Sequence, residues 1–305
     1  MKHINICICT YQRSIHLARC LSSLCDQVCP NDIQLSISVI DNDVQRSAEP
    51  IVEKSKNISP YILHYFCEPG RGIPLARNRA LTESLAMHAD WIAFIDDDEQ
   101  AEKSWIQQLY SYICQHSEKT VVHGRVIPVF PADAPKHIKE LCSPNKVRPT
   151  GTRKSACATD NVLFPVSLVE PLGLRFDESS PFAGGTDTIF FTQASNNGIQ
   201  IFECAEAIVY ETIFAERLKM KWLLKRKYRS GITTSWRKQN AGCSSISLIF
   251  PSLFKALLHC LVGGLLAIIN LKLQRNKQLL KSARETGILA GTLGLRVNSY
   301  AKIES

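Results

Sequence analysis

Through the first 130 residues, short apolar runs alternate with segments of helical spacing. His3–Cys9 is an apolar run of strand character, and Ser14–Asp26 sets Ile15, Ala18, Leu21 and Leu24 at helical intervals. Gln34–Ile40 is a second strand, ending at Asp41-Asn42-Asp43, and Tyr61–Cys67 is a third. Pro74–His88 carries Leu75, Ala76, Ala80, Leu81 and Leu85 on a helical period. A further apolar run, Trp91–Ile95, leads into Asp96-Asp97-Asp98-Glu99, followed by a helix over Ser104–Gln115 and an extended stretch over Thr120–Phe130. Repeated strand–helix–strand order implies an α/β fold with a mostly parallel sheet and right-handed crossovers.

Beyond residue 130 the pattern changes. Residues 131–160 are rich in Pro, Lys and Thr without a clear period and read as a long surface excursion over the site. Val162–Val166 returns to strand character, Asp187–Asn196 is helical, and Gln200–Tyr210 is another strand. A basic helix starts at Arg217, and an apolar stretch runs from Ile246 to Leu271, interrupted by Pro251 and Lys255 and weakened by Gly263-Gly264. Its cleanest part, Ala256–Leu271, is shorter than the ~20 residues a membrane-spanning helix needs. With basic flanks at Lys219–Arg229 and Lys272–Arg284, an interfacial or re-entrant helix on anionic lipid fits best. A helical hairpin packed on the catalytic domain or on a partner subunit is the alternative.

Charge sharpens this division. The net charge of +8 is polarised: residues 1–210 carry 19 Lys+Arg against 24 Asp+Glu, and residues 211–305 carry 17 against 4. A nucleic-acid enzyme more often places basic surface around its cleft. Here the acidic cluster and the basic tail are separate, which favours an anionic membrane surface and argues against nucleic acid. The apolar share of 45% is that of a globular chain. The twelve cysteines form no C-x-x-C pair, and Met1–Cys7 does not read as a signal peptide. A reduced cytoplasmic protein with free thiols is expected, held peripherally at the inner face of the plasma membrane.

The four consecutive acids after Trp91–Ile95 fall where open α/β sheets bind ligands, at the carboxyl end of a strand. Such crowded carboxylates repel one another unless a cation offsets them, and oxygen ligands suit Mg²⁺ or Mn²⁺ shared with substrate phosphates. The other reading is a solvated acidic turn.

The ordered set Thr10-Tyr11-Gln12-Arg13, Asp41-Asn42-Asp43, Glu68–Leu81, Asp96–Glu99 and Phe182-Ala-Gly-Gly-Thr-Asp187 resembles the family 2 glycosyltransferases of the GT-A fold, closest to bacterial members that build exopolysaccharide or lipopolysaccharide. The tail segments Glu211–Arg217, Arg226–Gly231 and Gly287–Gly294 extend the resemblance over most of the chain. It implies a GT-A catalytic domain over 1–215, with a nucleotide half over about 1–100 and an acceptor half over about 101–215, and a helical membrane-associating region over 216–305. It also implies an inverting, metal-dependent transfer of sugar from a nucleotide-diphosphate donor to a lipid-linked saccharide or lipopolysaccharide acceptor. Uracil is the base favoured by family frequency, with guanine and thymine as alternatives.

On this resemblance Asp98 is the direct metal ligand, and Asp96 binds the ribose or meets the metal through water. Asp41 accepts from the base, with Thr10 and Arg13 lining the same pocket; Asp-Asn-Asp is also good turn chemistry. Arg77 reaches a phosphate or base, or pairs on the helix surface. Asp187 is the general base, or an N-cap; Thr186 stands where the family usually carries another acid. Glu211 occupies the region where many members supply a metal-binding His, as an oxygen ligand, an acceptor contact or a structural residue. Asn161 lines the acceptor side, and Arg226 and Arg229, one turn apart, reach a diphosphate or a lipid phosphate or form a basic membrane face. A nucleotidyltransferase is one rival, although Thr10–Ser14 lacks the glycine-rich loop expected of it. A catalytically silent membrane-associated scaffold of the same fold is the other. Oligomeric state is not legible.

Overall fold

The computed structural model describes residues 1–295 apart from 118, 144–146, 180, 182–183 and 241. The motif residues Phe182 and Ala183 therefore lie outside the described residues, as does the end of the tail. The chain forms two compact units, one of residues 1–127, 146–181 and 186–212, the other of residues 128–145, 182–185 and 213–305.

The first unit opens with four parallel strands: β1 (Lys2–Thr10), β2 (Ile33–Asp41), β3 (Ile62–Cys67) and β4 (Trp91–Phe94). They are joined by α1 (Ser14–Cys25), α2 (Glu49–Lys56) and α3 (Ile73–Ala86) and lie in the order β3-β2-β1-β4. The elements that follow are β5 (Glu99–Ala101), α4 (Trp105–Cys114), β6 (Thr120–Val129), α5 (Lys136–Cys142), β7 (Arg153–Lys154), β8 (Val162–Pro165), α6 (Thr186–Asn196) and β9 (Gln200–Thr212). The sheet continues from β4 as β8-β6-β9-β5, with β7 on β9. Beyond β4 the pairings of β8 with β4 and β6, and of β9 with β5 and β7, are antiparallel. The parallel half is thus the half with regular helical crossovers, as parallel pairing requires.

β1 shows why its sequence is almost continuously apolar. Ile4, Ile6 and Ile8 face a core shared with Leu17 and Leu21 of α1 and Trp105 of α4. Cys7 faces the other side, with Ala76 and Ala80 of α3, and with Phe94, Phe164, Phe176, Phe190 and Phe191. Both faces are covered, so alternation is lost. The phenylalanines form a connected ring cluster, Phe176 stacking on Phe190 at 4.4 Å between centroids.

The segment 131–160, expected to be irregular, contains the short elements α5 and β7 among its described residues. The apolar tail differs more. Instead of a clean part of sixteen residues, it forms one 24-residue helix, α8 (Ser245–Ile268), that runs through Pro251 and Gly263-Gly264. At 1.5 Å per residue it is about 36 Å long. Proline removes one ladder bond, but the remaining bonds, the Ser244 cap on the Ser247 N–H and packing on a neighbouring helix hold it together.

In the second unit α9 (Lys272–Thr292) packs against both α7 (Met220–Asn240) and α8. The α7–α9 crossing depends on glycine: a Cβ on Gly231 would collide with the Arg284 carbonyl, and one on Gly287 with the Tyr228 carbonyl. Ala134, Ile138, Ile213, Leu218, Leu223 and Leu280 form this unit's own apolar core.

Candidate active site

The carboxyl ends of β1, β2 and β4 supply most of the candidate residues. In the β1–β2 register Thr10 is level with Asp41, and Cys7 is level with Phe94 on β4. Beyond Phe94 the chain turns through Asp96–Asp98, with the Glu99 N–H bonded to the Asp96 carbonyl at 3.2 Å.

The four acids divide into two pairs. Asp97 is buried, accepting from the Thr10 hydroxyl at 2.7 Å and from the Arg13 guanidinium at 3.0 Å. Glu99, also buried, accepts the Asp96 N–H at 2.9 Å and so closes the turn. These two hold the loop in shape. Asp98 lies 3.5 Å from Arg13 Nη1, and the Asp96 side chain faces solvent. Although the outer side of Asp96 is open, the protein packed around it, and then repulsion from Asp98, pushes its carboxyl up to about 8, with the Arg77 charge opposing. Burial pushes Asp97 up to about 6 against the pull of Arg13, and burial followed by Asp96 and Asp160 raises Glu99 well above the carboxylate range.

Glu211 on β9 is directly opposite Glu99 on β5, and the Thr212 N–H bonds to the Asp98 carbonyl at 3.2 Å. Among the described residues no three His, Cys, Asp or Glu side chains form a ready-made metal cage. The donor set suits a cation that keeps water and takes phosphate oxygens from a substrate, as Mg²⁺ does.

Asp41, expected to meet a base, is instead wholly buried. Its carboxylate accepts from the Ala48 N–H at 2.8 Å, the Tyr65 hydroxyl at 3.0 Å and the Asp43 N–H at 3.2 Å, so it builds the loop after β2. Burial raises its pKa, partly offset by those bonds. Next to it, the Arg71 guanidinium lies 4.3 Å from the Tyr11 ring centroid. Tyr11 lies in the Thr10–Arg13 motif and Arg71 in the Glu68–Leu81 motif. Asn161 requires a second correction. It is fully buried, accepts from Trp105 Nε1 at 2.7 Å and donates to the carbonyls of Ala207 (2.9 Å) and Arg125 (3.2 Å). It ties β8 to β6, β9 and α4 rather than lining an acceptor face.

Arg77 donates to Thr186 Oγ1 at 3.3 Å and lies 5.5 Å from the Phe176 ring centroid. It thereby joins α3 to the first turn of α6, where half-buried Asp187 accepts the Thr188 N–H at 2.6 Å. Arg226 and Arg229 lie on α7 in the second unit, Arg226 being exposed with its guanidinium 5.3 Å from the Trp222 ring centroid.

A feature missed in the sequence is the row of charged groups behind the loop. His123 Nε2 lies 3.1 Å from Asp160 Oδ1, Lys154 Nζ lies 2.9 Å from both His123 Nδ1 and Glu203 Oε2, and His123 Nδ1 lies 3.7 Å from that same oxygen. Burial works against the charge on His123, but the bonds to Asp160 and Glu203 outweigh it and raise its pKa. Burial likewise opposes the charges on Asp160 and Glu203, and the partners hold both below the usual range. The one available sequence signal was an acid just before the strand beginning at Val162.

Residues 5–166 match the model of glycosyl transferase family 2. The chain is 30% identical over 315 aligned positions to the succinoglycan biosynthesis protein ExoM of Rhizobium meliloti (strain 1021), covering 96% of this chain and 94% of that protein. The chain belongs to glycosyl transferase family 2. That membership sets the nucleotidyltransferase alternative aside. The fold is GT-A, with a mostly parallel central sheet in its first half. TarS 1–349 of S. aureus in complex with UDP superposes with a TM-score of 0.56 at 16% identity, covering 95% of this chain and 90% of that one. Another TarS 1–349 structure gives 0.55 at 17% identity, and this chain spans 65% of it. GalNAc-T7 with UDP, GalNAc and Mn²⁺ gives 0.57 at 14% identity over 77% of this chain and 51% of that one.

Proposed function

We propose that this family 2 glycosyltransferase moves a sugar, with inversion, from a UDP-sugar to a hydroxyl of a lipid-linked saccharide in bacterial exopolysaccharide assembly. The observation that carries the reading is the loop after β4. Two of its acids, Asp97 and Glu99, hold its shape, Asp98 pairs with Arg13, and Asp96 presents an exposed carboxylate at the strand end. The ExoM likeness supports the pathway, and UDP in the TarS and GalNAc-T7 structures supports the donor class.

Asp98, with Asp96 and Glu211, would hold a divalent cation, Mn²⁺ or Mg²⁺, and the Mn²⁺ in the GalNAc-T7 structure supports that class. When bound, the cation supplies positive charge to the departing diphosphate. Thr10, Arg13 and the Tyr11–Arg71 pair line the nucleotide side, and Asp41 positions the adjoining loop. Arg77 orients the start of α6 through Thr186. Asp187 takes the proton from the acceptor hydroxyl as it attacks opposite the leaving diphosphate.

The second unit serves the membrane. Ile246, Phe250, Phe254, Leu257, Leu261, Leu265 and Ile268 form one stripe along α8, each more than half exposed. The opposite face is committed to α9, with Ser282 Oγ on the Ala256 carbonyl at 3.0 Å and His259 on Gln278 at 2.8 Å. α8 is long and apolar enough to cross a bilayer. Since it carries the basic α9 on its back, it is better suited to lie in the interface, with Lys272, Arg275 and Lys277 at anionic headgroups. Arg226 and Arg229 add to the basic face. We read the enzyme as peripheral, at the cytoplasmic side of the membrane.

Release of UDP from UDP-sugars in the presence of membrane acceptor tests the reading. Turnover that is lost in Asp187→Asn while UDP binding persists is expected. UDP binding lost along with turnover would remove Asp187 as the base, and a wild-type protein silent with every nucleotide sugar would favour the scaffold.

A further inference from the structure

Asp160 has no role in the site as described so far, yet the sheet register brings it there. β4 and β8 pair antiparallel, with Phe94 opposite Val162 and Ala93 opposite Leu163. The pairing ends at Phe94–Val162, and Asp96 and Asp160 each lie two residues beyond it, so both leave the sheet at the same end of this strand pair and the Asp160 charge acts on Asp96. A second carboxylate thus stands near the most exposed acid of the loop, where like charges repel.

The protein supports this arrangement from behind. Oδ1 of Asp160 is bound by His123, which is backed by Lys154 and Glu203, on β6, β7 and β9 respectively. The side chains of these three supports are 11%, 9% and 11% exposed, whereas that of Asp160 is 34% exposed. Buried ion pairs are poor stabilisers relative to apolar packing. What this one provides is an ionised carboxylate with one oxygen tied back and the group open to solvent beside Asp96.

We propose that Asp160 accepts hydrogen bonds from hydroxyls of the transferred sugar and so helps select the donor, with His123 as the residue that positions it. A carboxylate offers only acceptors, and a pyranose offers adjacent hydroxyl donors that can engage it in a two-point contact. On the donor reading the transferred sugar lies between the diphosphate at Asp96–Asp98 and the base at Asp187, and Asp160 stands at the same end of the sheet as Asp96. This rests on the donor reading above.

The test is calorimetry with Mn²⁺, using UDP and then UDP-glucose, UDP-galactose and UDP-GlcNAc, on wild type, Asp160→Asn and His123→Gln. UDP affinity serves as the folding control. The expected result is UDP binding within twofold of wild type in both variants. Asp160→Asn should weaken the preferred UDP-sugar about tenfold or more, as loss of a charge-assisted hydrogen bond does, and flatten the preference among the three sugars. His123→Gln should shift it in the same direction by less. UDP-sugar affinities unchanged in Asp160→Asn would overturn the proposal, as would UDP weakened by the same factor as UDP-sugar, which would make Asp160 part of the nucleotide or metal set. Wild-type protein that binds none of the four ligands would instead overturn the donor reading itself.

Discussion

The two units solve opposite surface problems. In the first, apolar side chains are inside, on both faces of the sheet, and the chemistry left at the strand ends is charge. In the second, glycines at Gly231 and Gly287 draw α7 and α9 into backbone contact, while α8 turns an unbroken apolar stripe outward. Exposed apolar area of that extent marks a surface meant to be covered, and an exposed carboxylate at a strand end suits one meant to meet ligands. The proposed reading gives catalysis to the first unit and anchoring to the second.

The strongest way to break that assignment is at the base. Asp187→Asn is expected to lower turnover by roughly 10²–10⁴-fold, the usual worth of general-base help, without releasing the protein from vesicles. The complementary change is Phe254→Glu with Leu261→Glu and Leu265→Glu. Burying each such side chain is worth about 1.5–3 kcal/mol, so the triple variant should lose cosedimentation with anionic vesicles while still binding UDP. Retained vesicle binding would mean that the α8 stripe is not the anchor.

Next in size is the helix crossing. Gly287→Ala should cost about 1–3 kcal/mol through forced separation of α7 and α9, read as a lower denaturation midpoint. The smallest expected effect concerns pH. His123 has a raised pKa when folded, so its contribution is complete below its ordinary value of 6.5 and is lost as pH rises through the folded value. Asp160 and Glu203 are lowered, so their share is lost only as pH falls toward their folded values. His123→Gln should therefore be destabilised by about 1 kcal/mol near pH 6 and less at pH 9. A deficit that grows with pH would contradict the charged pairing.

The parallel half was legible because β1, β2 and β4 are buried on both faces and α1 and α3 carry apolar residues at helical spacing; α2, short and polar, was not. The acidic loop was legible as a cluster, but the division of labour within it was not, since only Thr10 and Arg13 folding onto Asp97 show which acids are structural. For Asp41 and Asn161, motif position does not disclose the partners that close around each side chain: the loop after β2 and Tyr65 for one, Trp105 and two backbone carbonyls for the other. Asp160 was invisible for a related reason: its neighbours His123, Lys154 and Glu203 come from three separate strands. In the tail, proline and the paired glycines suggested breaks, while α8 runs through both because its bonding and its packing on α9 continue.

The most direct measurement is calorimetric titration of the purified protein with UDP, with and without Mn²⁺, alongside Asp98→Ala. Binding that requires the metal and disappears in the variant is the expected result. Binding indifferent to Mn²⁺ and to Asp98, or no UDP binding under either condition, would contradict a metal-assisted UDP-sugar site at the end of β4.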